Sequence, residues 1–237
     1  MAPSVGPAPR VLLRDEATAR LRDAIVTGRL APGQVVKDAE LAASLGLSVA
    51  PVRAALTRLI DEGLVESKPQ SHTRVTPVSA AAVREAAVVV RAMHEVATRE
   101  AAPHLTPDDL ATMRAANERF AAAVRTGDVE AALAADDALH AVLLDRCGNG
   151  AVRATVDRFT PGIRRLERQR FAAPHGQDSI TLHALLIDAC AVPGETDVAV
   201  ALTTAIWTAL LDELDPAPSS EPADPADPAS ATPEETR

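Results

Sequence analysis

Between residues 78 and 214 the chain repeats one pattern: apolar side chains three and four apart, interrupted only where proline or glycine intervenes. No stretch of this half alternates with period two, so it can fold only as helices. Breaks at Pro103–Pro107, Gly127, Gly148–Gly150, Pro174–Gly176 and Pro193–Gly194 predict six helices, at about 79–102, 107–126, 128–147, 150–171, 178–191 and 196–214. Six amphipathic helices in sequence bury their stripes against one another as an all-α bundle. Aromatic residues are 2% of the chain and tyrosine is absent, so the core is built from Leu, Val, Ile and Ala. The same shortage argues against a stacking platform for single-stranded nucleic acid.

Before residue 77 the elements are short. Ala17, Leu21, Ala24 and Ile25 mark a helix over 14–28 ending at Gly28. A second helix spans 38–45, with Asp38 as N-cap and Leu41, Ala42 and Leu45 inward; Gly46 ends it. Ser48 caps a third, running to about Glu62, which buries Val52, Ala55, Leu56, Leu59 and Ile60 and leaves Val49, Ala50, Arg53 and Thr57 outward. Leu64–Glu66 and Thr73–Thr76 then read as two strands around a polar turn. Two short helices joined at a glycine and followed by a hairpin are the layout of a winged helix-turn-helix. Its second helix fits the major groove of B-DNA, about 12 Å wide, while the wing rests on phosphates or in the minor groove. The expected fold is thus mainly α: an N-terminal winged helix-turn-helix over 10–77 and an all-α six-helix bundle over 78–214, between a disordered N-terminus (1–9) and a disordered acidic, proline-rich tail (215–237).

Charge is unevenly placed. Residues 10–76 hold ten Lys/Arg against eight Asp/Glu, residues 77–211 thirteen against seventeen, and the segment from Asp212 one against eight. The net charge of -9 therefore leaves room for a DNA partner of the first third, although strong nonspecific affinity is not expected. The first ten residues contain no apolar signal-peptide core, and Cys147 and Cys190 are too few and too distant for a disulfide framework. Both features fit a cytoplasmic protein. Nothing near Cys147 suggests an activated thiolate.

The segment AIVTGRLAPGQVVKDAELAASLGLSVAPVRAALTRLIDEGLVES resembles the N-terminal domain of GntR-type bacterial transcription regulators. The resemblance is carried by Gly28, Leu30, Gly33, Glu40, Leu41, Ala42, Ser48, Pro51, Val52, Arg53, Ala55, Leu56, Leu59, Glu62, Gly63, Leu64 and Val65. It implies a homodimer that binds a short palindromic operator in double-stranded DNA through paired recognition helices. Arg53 matches the family's DNA-contacting arginine. Thr57 shares its outward face, Ser48 is first a cap and then a phosphate contact, and Arg58 and Lys37 are candidate phosphate contacts by charge and position. At the wing tip stand His72 and Arg74, beside Lys68. The chain departs from the pattern at Val49 and Ala39, where the family commonly has basic residues, and at His72, where it commonly has glycine. Losing a bidentate arginine would cost about 1–3 kcal/mol of base discrimination.

In the bundle, Asp136 and His140 are one turn apart within the apolar face of the third long helix, with Asp137 at the edge of that face. His183 is embedded among Ile180, Leu186, Ile187 and Cys190 in the fifth. Two inward imidazoles and an inward carboxylate suit a divalent metal such as Zn, Ni or Mn. A buried Asp–His pair plus a satisfied core histidine is the other reading, and periodicity does not choose between them. The helical half resembles the FCD ligand-binding domain of the FadR-type branch, and with six helices its VanR-like subgroup. VRAMHE (Val90–Glu95), Asp136 with His140, CGNGAV (Cys147–Val152) and the run from His183 carry that likeness. It implies a divalent metal held by one Asp and three His, with a small organic acid effector against it. Asp136, His140 and His183 match three of these ligands; the fourth falls near Trp207 or Thr208, where no histidine stands. Water or the effector would complete the site, with Cys190 as a substitute ligand. Arg91 matches an effector-pocket arginine, although its neighbours Arg84, His94 and Glu95 equally suit an exposed face. His104 and His175 fall in turns, and Arg164, Arg165, Arg168 and Arg170 read as the solvated face of a long helix.

The expected function is a ligand-responsive DNA-binding regulator, a repressor released by its effector, with no membrane partner and no enzymatic activity. Two alternatives remain. One is a degenerate dimeric interaction module with weak or no specific DNA binding. The other is a metal-dependent enzyme of the bundle, for which the sequence offers no Glu beside His140 or His183.

Overall fold

The computed structural model describes residues 12–68, 72–170 and 177–213. Expectations for residues 1–9, the wing-tip turn at 69–71, His175 and the tail from 215 lie outside these.

Helices α1 (Leu13–Val26), α2 (Asp38–Leu45) and α3 (Val49–Asp61) and strands β1 (Val35–Val36), β2 (Val65–Lys68) and β3 (His72–Val75) form the head. Its core is Ala17, Leu21 and Ile25 of α1 against Val52, Ala55, Leu56 and Leu59 of α3, closed by Leu64, Val65 and Val75. Gly46, at φ +66°, lets α2 stop and the chain bend by 112° into α3. Two details differ from the sequence reading of these helices. Lys37 holds the N-cap position of α2, and Asp38 is its first helical residue, where a carboxylate complements the helix dipole. Ile60 is 38% exposed, because α3 buries only Val52, Ala55, Leu56 and Leu59. The sheet order is β1-β3-β2, antiparallel throughout, with Val35 opposite Arg74 and Glu66 opposite Arg74 on the other side. Strand β1 was not foreseen, since two residues carry no periodicity.

Helices α4 (Ala80–Ala101), α5 (Pro107–Thr126), α6 (Val129–Cys147), α7 (Gly150–Arg170), α8 (Gln177–Ala191) and α9 (Thr196–Glu213) match the six expected. A short 3-10 turn (Ala102–His104) follows α4, and a capping box between Thr106 and Asp109 starts α5. Helix α4 is central, packing on α6, α7 and α9, while α5 packs on α6 and α8. The buried Thr98 and Thr203 hydroxyls lie 2.9 Å apart and satisfy each other across α4 and α9. No single described helix is long and apolar enough to cross a membrane.

Head and helical half meet along α1 and α7. Arg165 donates to the carbonyl of Thr76 at 2.7 Å and to its hydroxyl at 3.0 Å, Arg168 to the carbonyl of Val26 at 3.0 Å, and Arg158 to the carbonyl of Asp61 at 3.0 Å. Arg164, Arg165 and Arg168 are therefore not a solvated face, and the side chain of Arg170 lies outside the described residues. Arg165 is only 6% exposed and Arg164 lies inside an acidic cluster. A charge run looks solvated in sequence because its partners come from elements far along the chain.

Candidate functional site

Two regions carry chemistry: the outer face of α3 and a cavity between the head and the helical half.

On α3, Val49, Ala50, Arg53 and Thr57 are exposed together. The Arg53 side chain is 72% exposed, and its Nε donates to Asp38 of α2 at 2.9 Å. That bond links the two helices of the turn and holds the guanidinium over the outer face. Ser48 stands at the N-cap position of α3, but its side chain makes no capping bond. Lys37 pairs with Glu40 at 2.7 Å on the exposed side of α2. In the wing, Arg74 pairs with Glu66 across the strands and His72 is half-buried in β3. Arg58 behaves differently from the phosphate contact expected of it. It pairs with Glu62 at 3.4 Å and Asp15 at 3.6 Å, and it lines the cavity rather than the face of Arg53.

The cavity has a volume of about 830 Å³. Its inner end is Asp136 and His140 on α6 and His183 on α8, together with His94, Phe120 and Trp207. His140 Nε2 and His183 Nε2 lie 3.6 and 3.5 Å from the same oxygen of Asp136, and one donor atom from each of the three residues falls within 4.8 Å of the others. His183 is wholly buried, edge-on to the ring of Phe120 at 5.3 Å. Neither of its nitrogens has a hydrogen-bond partner, and neither has Nδ1 of His140. Burial is the main cause that pushes His183 down to about 4, against the attraction of Asp136. A neutral imidazole with an unused lone pair, beside a carboxylate, is what a divalent cation requires. The donor set fits one.

Burial acts to raise the Asp136 carboxyl, but Arg164, followed by His140 and His183, holds it well below the usual carboxylate range. Arg164 donates to the second oxygen of Asp136 at 2.6 Å, to Asp137 at 2.5 Å and to Glu167 at 2.6 Å. Glu167 is pushed up by burial against the pull of Arg164. A carboxyl absent from the sequence reading thus does line the same cavity, tied to an arginine.

His94 is the functional candidate that sequence reasoning missed. It is 4% exposed, its ring lies 5.1 Å from that of His140 and 5.2 Å from Trp207, and its Nδ1 is unpartnered. Burial, with the nearby His140, pushes it down to about 3. The signal was present: Val83, Ala87, Val90, His94, Ala97 and Ala101 form one buried stripe at helical spacing. Arg91, expected at the effector, does not line the cavity; it pairs with Glu95 on its own helix at 3.5 Å. Cys190 is buried and pushed up to about 11 by that burial, so it stays a neutral thiol, and it is not grouped with the three donors.

Comparison with known proteins finds a family model for each half of the chain. The model of the FCD domain matches residues 85–209, and that of the gntR family of bacterial regulatory proteins matches residues 13–75. An uncharacterized HTH-type transcriptional regulator from an unstable DNA locus of Streptomyces ambofaciens is 34% identical over 138 residues, covering 58% of this chain and 57% of that protein. The HTH-type transcriptional repressor RspR of Escherichia coli is 27% identical over 147 residues, covering 58% and 64%. The matches therefore span less than two thirds of these relatives. Among solved structures, E. coli McbR/YncC superposes with a TM-score of 0.74 at 22% identity, covering 86% of this chain and 98% of that one.

Proposed function

The chain belongs to the GntR family of bacterial regulatory proteins and carries an FCD domain, and we propose that it is a one-component transcriptional repressor released by a small organic acid. Residues 10–77 read operator DNA, and residues 78–214 bind the effector and dimerise. The observation that carries this reading is the two-sidedness of α3. Arg53, tied to Asp38 through Nε, and Thr57 are exposed on one side for a major groove, while Arg58, Asp61 and Glu62 line the effector cavity on the other. A single helix then meets both ligands, which is the physical requirement for their binding free energies to be coupled.

Base recognition falls to Arg53 and Thr57, with Ser48, Lys37, His72 and Arg74 as the phosphate contacts, Lys37 and Arg74 exchanging Glu40 and Glu66 for the DNA backbone. Asp136, His140 and His183 would hold one divalent cation, which supplies a positive centre for a carboxylate. The protein's own groups orient that ligand: His94, Phe120 and Trp207 wall the inner end and exclude water. An exposed apolar strip on α4, comprising Val88, Val89 and Val96, supports a homodimer through this helix. A DNA partner implies work in the cytoplasm, and the dedicated winged head favours regulation over catalysis.

The test is a band shift on the DNA upstream of the protein's own gene, with and without organic acids. Sequence-dependent, salt-sensitive retention that an acid relieves is the expected result. Absence of retention under every condition refutes the reading.

A further inference from the structure

The three α7 arginines that reach the head differ in one respect. Arg158, Arg165 and Arg168 each donate to a main-chain carbonyl of the head, at Asp61, Thr76 and Val26 respectively, but only Arg158 also lines the cavity. It differs from the other cavity arginines too. Arg22 is held by Glu62, Arg58 by Glu62 and Asp15, Arg153 by Asp145 and Asp157, and Arg164 by Asp136, Asp137 and Glu167. Among the described residues Arg158 has no carboxylate partner. Its guanidinium holds only the neutral carbonyl of Asp61 and sits 5.4 Å from the centre of the Phe159 ring.

We propose that Arg158 is the outer anion subsite of the cavity, and that an effector with two anionic groups, one at the Asp136–His140–His183 end and one on Arg158, draws this guanidinium off the recognition helix. The proposal rests on the effector reading above and specifies its ligand class. A charged acceptor makes a hydrogen bond roughly twice as strong as a neutral one, so an incoming carboxylate displaces a carbonyl readily. It would not displace a carboxylate already paired to Arg22, Arg153 or Arg164 as easily. The carbonyl given up belongs to Asp61, the last residue of α3, one of the terminal carbonyls without an intrahelical partner. Its release unties the end of the recognition helix from α7, while Arg165 and Arg168 keep the head attached. Arg158 and Arg164 are six positions apart on α7, which is roughly 9 Å along the axis at about 1.5 Å per residue. The ligand is therefore an elongated dianion of the dicarboxylate kind rather than a short monocarboxylate.

Calorimetric titration of the full chain in the presence of zinc, using unbranched dicarboxylates from succinate to sebacate and monocarboxylates of equal length, tests this. In the wild type one dicarboxylate should bind roughly tenfold or more tighter than its monocarboxylate, and R158A should lose that preference while binding the monocarboxylate as before. R158A without ligand should also show the faster amide exchange at 58–64 that the dicarboxylate induces in the wild type. A wild type that shows no preference, or binds neither acid, overturns the proposal. So does an R158A that keeps the preference, or unchanged exchange at the end of α3. Failure of the regulator reading looks different: no DNA is retained, yet the dicarboxylate preference and its loss in R158A persist.

Discussion

Arg165 fastens the joint between the head and the bundle, and replacing it with methionine should loosen that joint without unfolding either side. The guanidinium is buried and makes two bonds to Thr76, which is itself tied into the head through its amide to the Leu64 carbonyl at 3.0 Å and its hydroxyl to the Gly63 carbonyl at 2.8 Å. Methionine keeps most of the apolar stem but leaves the Thr76 carbonyl without a partner. An orphaned acceptor costs about 1–3 kcal/mol. Part of this is returned, because the buried guanidinium is itself disfavoured: desolvation pulls Arg165 below the ordinary arginine range. The net loss is about 1–2 kcal/mol, which raises the undocked population roughly fivefold to thirtyfold. Hydrogen exchange read at residues 74–83 should speed up by that factor, while Leu59 in the head core and Leu139 in the bundle core keep their protection. Unchanged exchange at 74–83 would mean that Arg165 does not hold the joint, and the coupling route through α7 would fall with it.

Arg53→Ala should weaken specific DNA retention by about 1–3 kcal/mol, read by band shift, and leave thermal melting in place; equal retention would remove Arg53 from the reading face. His183→Ala and Asp136→Asn should abolish the rise in melting temperature on adding zinc, since a cation at a hundredfold excess over its Kd stabilises by about 2.7 kcal/mol. A rise that survives both changes places the metal elsewhere, whereas a smaller rise in His94→Leu would make His94 a supporting donor. In metal-free protein, stability should be complete above the unfolded histidine value near 6.5 and decline as pH falls toward about 4, because His183 and His94 are neutral in the fold at about 4 and about 3. The unfolded chain takes up protons first, and each histidine contributes up to about 1.4 kcal/mol per pH unit in that window. Urea midpoints that stay level between pH 7 and 5 would contradict it.

The order and extent of the helices were readable because each stripe is bounded by a glycine or proline whose physics is local. Gly46 and Gly127 adopt the left-handed conformation that ends α2 and α5. Asp136, His140 and His183 were readable for a related reason: polar residues inside an apolar stripe point inward wherever the helix packs on one side. His94 escaped because Arg91 and Glu95 flank it, and these half-buried residues pair with each other along the rim of α4. A central helix with neighbours on three sides leaves only a narrow wet strip, so polar neighbours no longer signal exposure. Arg164, Arg165 and Arg168 escaped for the complementary reason. Their acceptors are Asp136, Thr76 and Val26, contacts that span from 28 to 142 positions of sequence.

The acidic excess around Arg164 bears on what the inner end of the cavity is for. A network whose only task was to hold Arg164 would need one carboxylate, yet Asp136, Asp137 and Glu167 all touch it, leaving two negative charges if every group is ionised. The Asp137 side chain is 56% exposed and its charge is screened by water, but the charges on Asp136 and Glu167 are shielded, and that part of the excess is costly. Protonating Glu167, which burial favours, relieves half of it. The other half falls on Asp136, which Arg164 and two imidazoles keep ionised, with one of its oxygens facing both His140 and His183. A divalent cation between those three donors would more than offset the charge that remains and would engage a His183 nitrogen that is otherwise without a partner. A purely structural Asp–His pair leaves the two nitrogens of His183 without partners, and they are the observation that supports the proposed cation site.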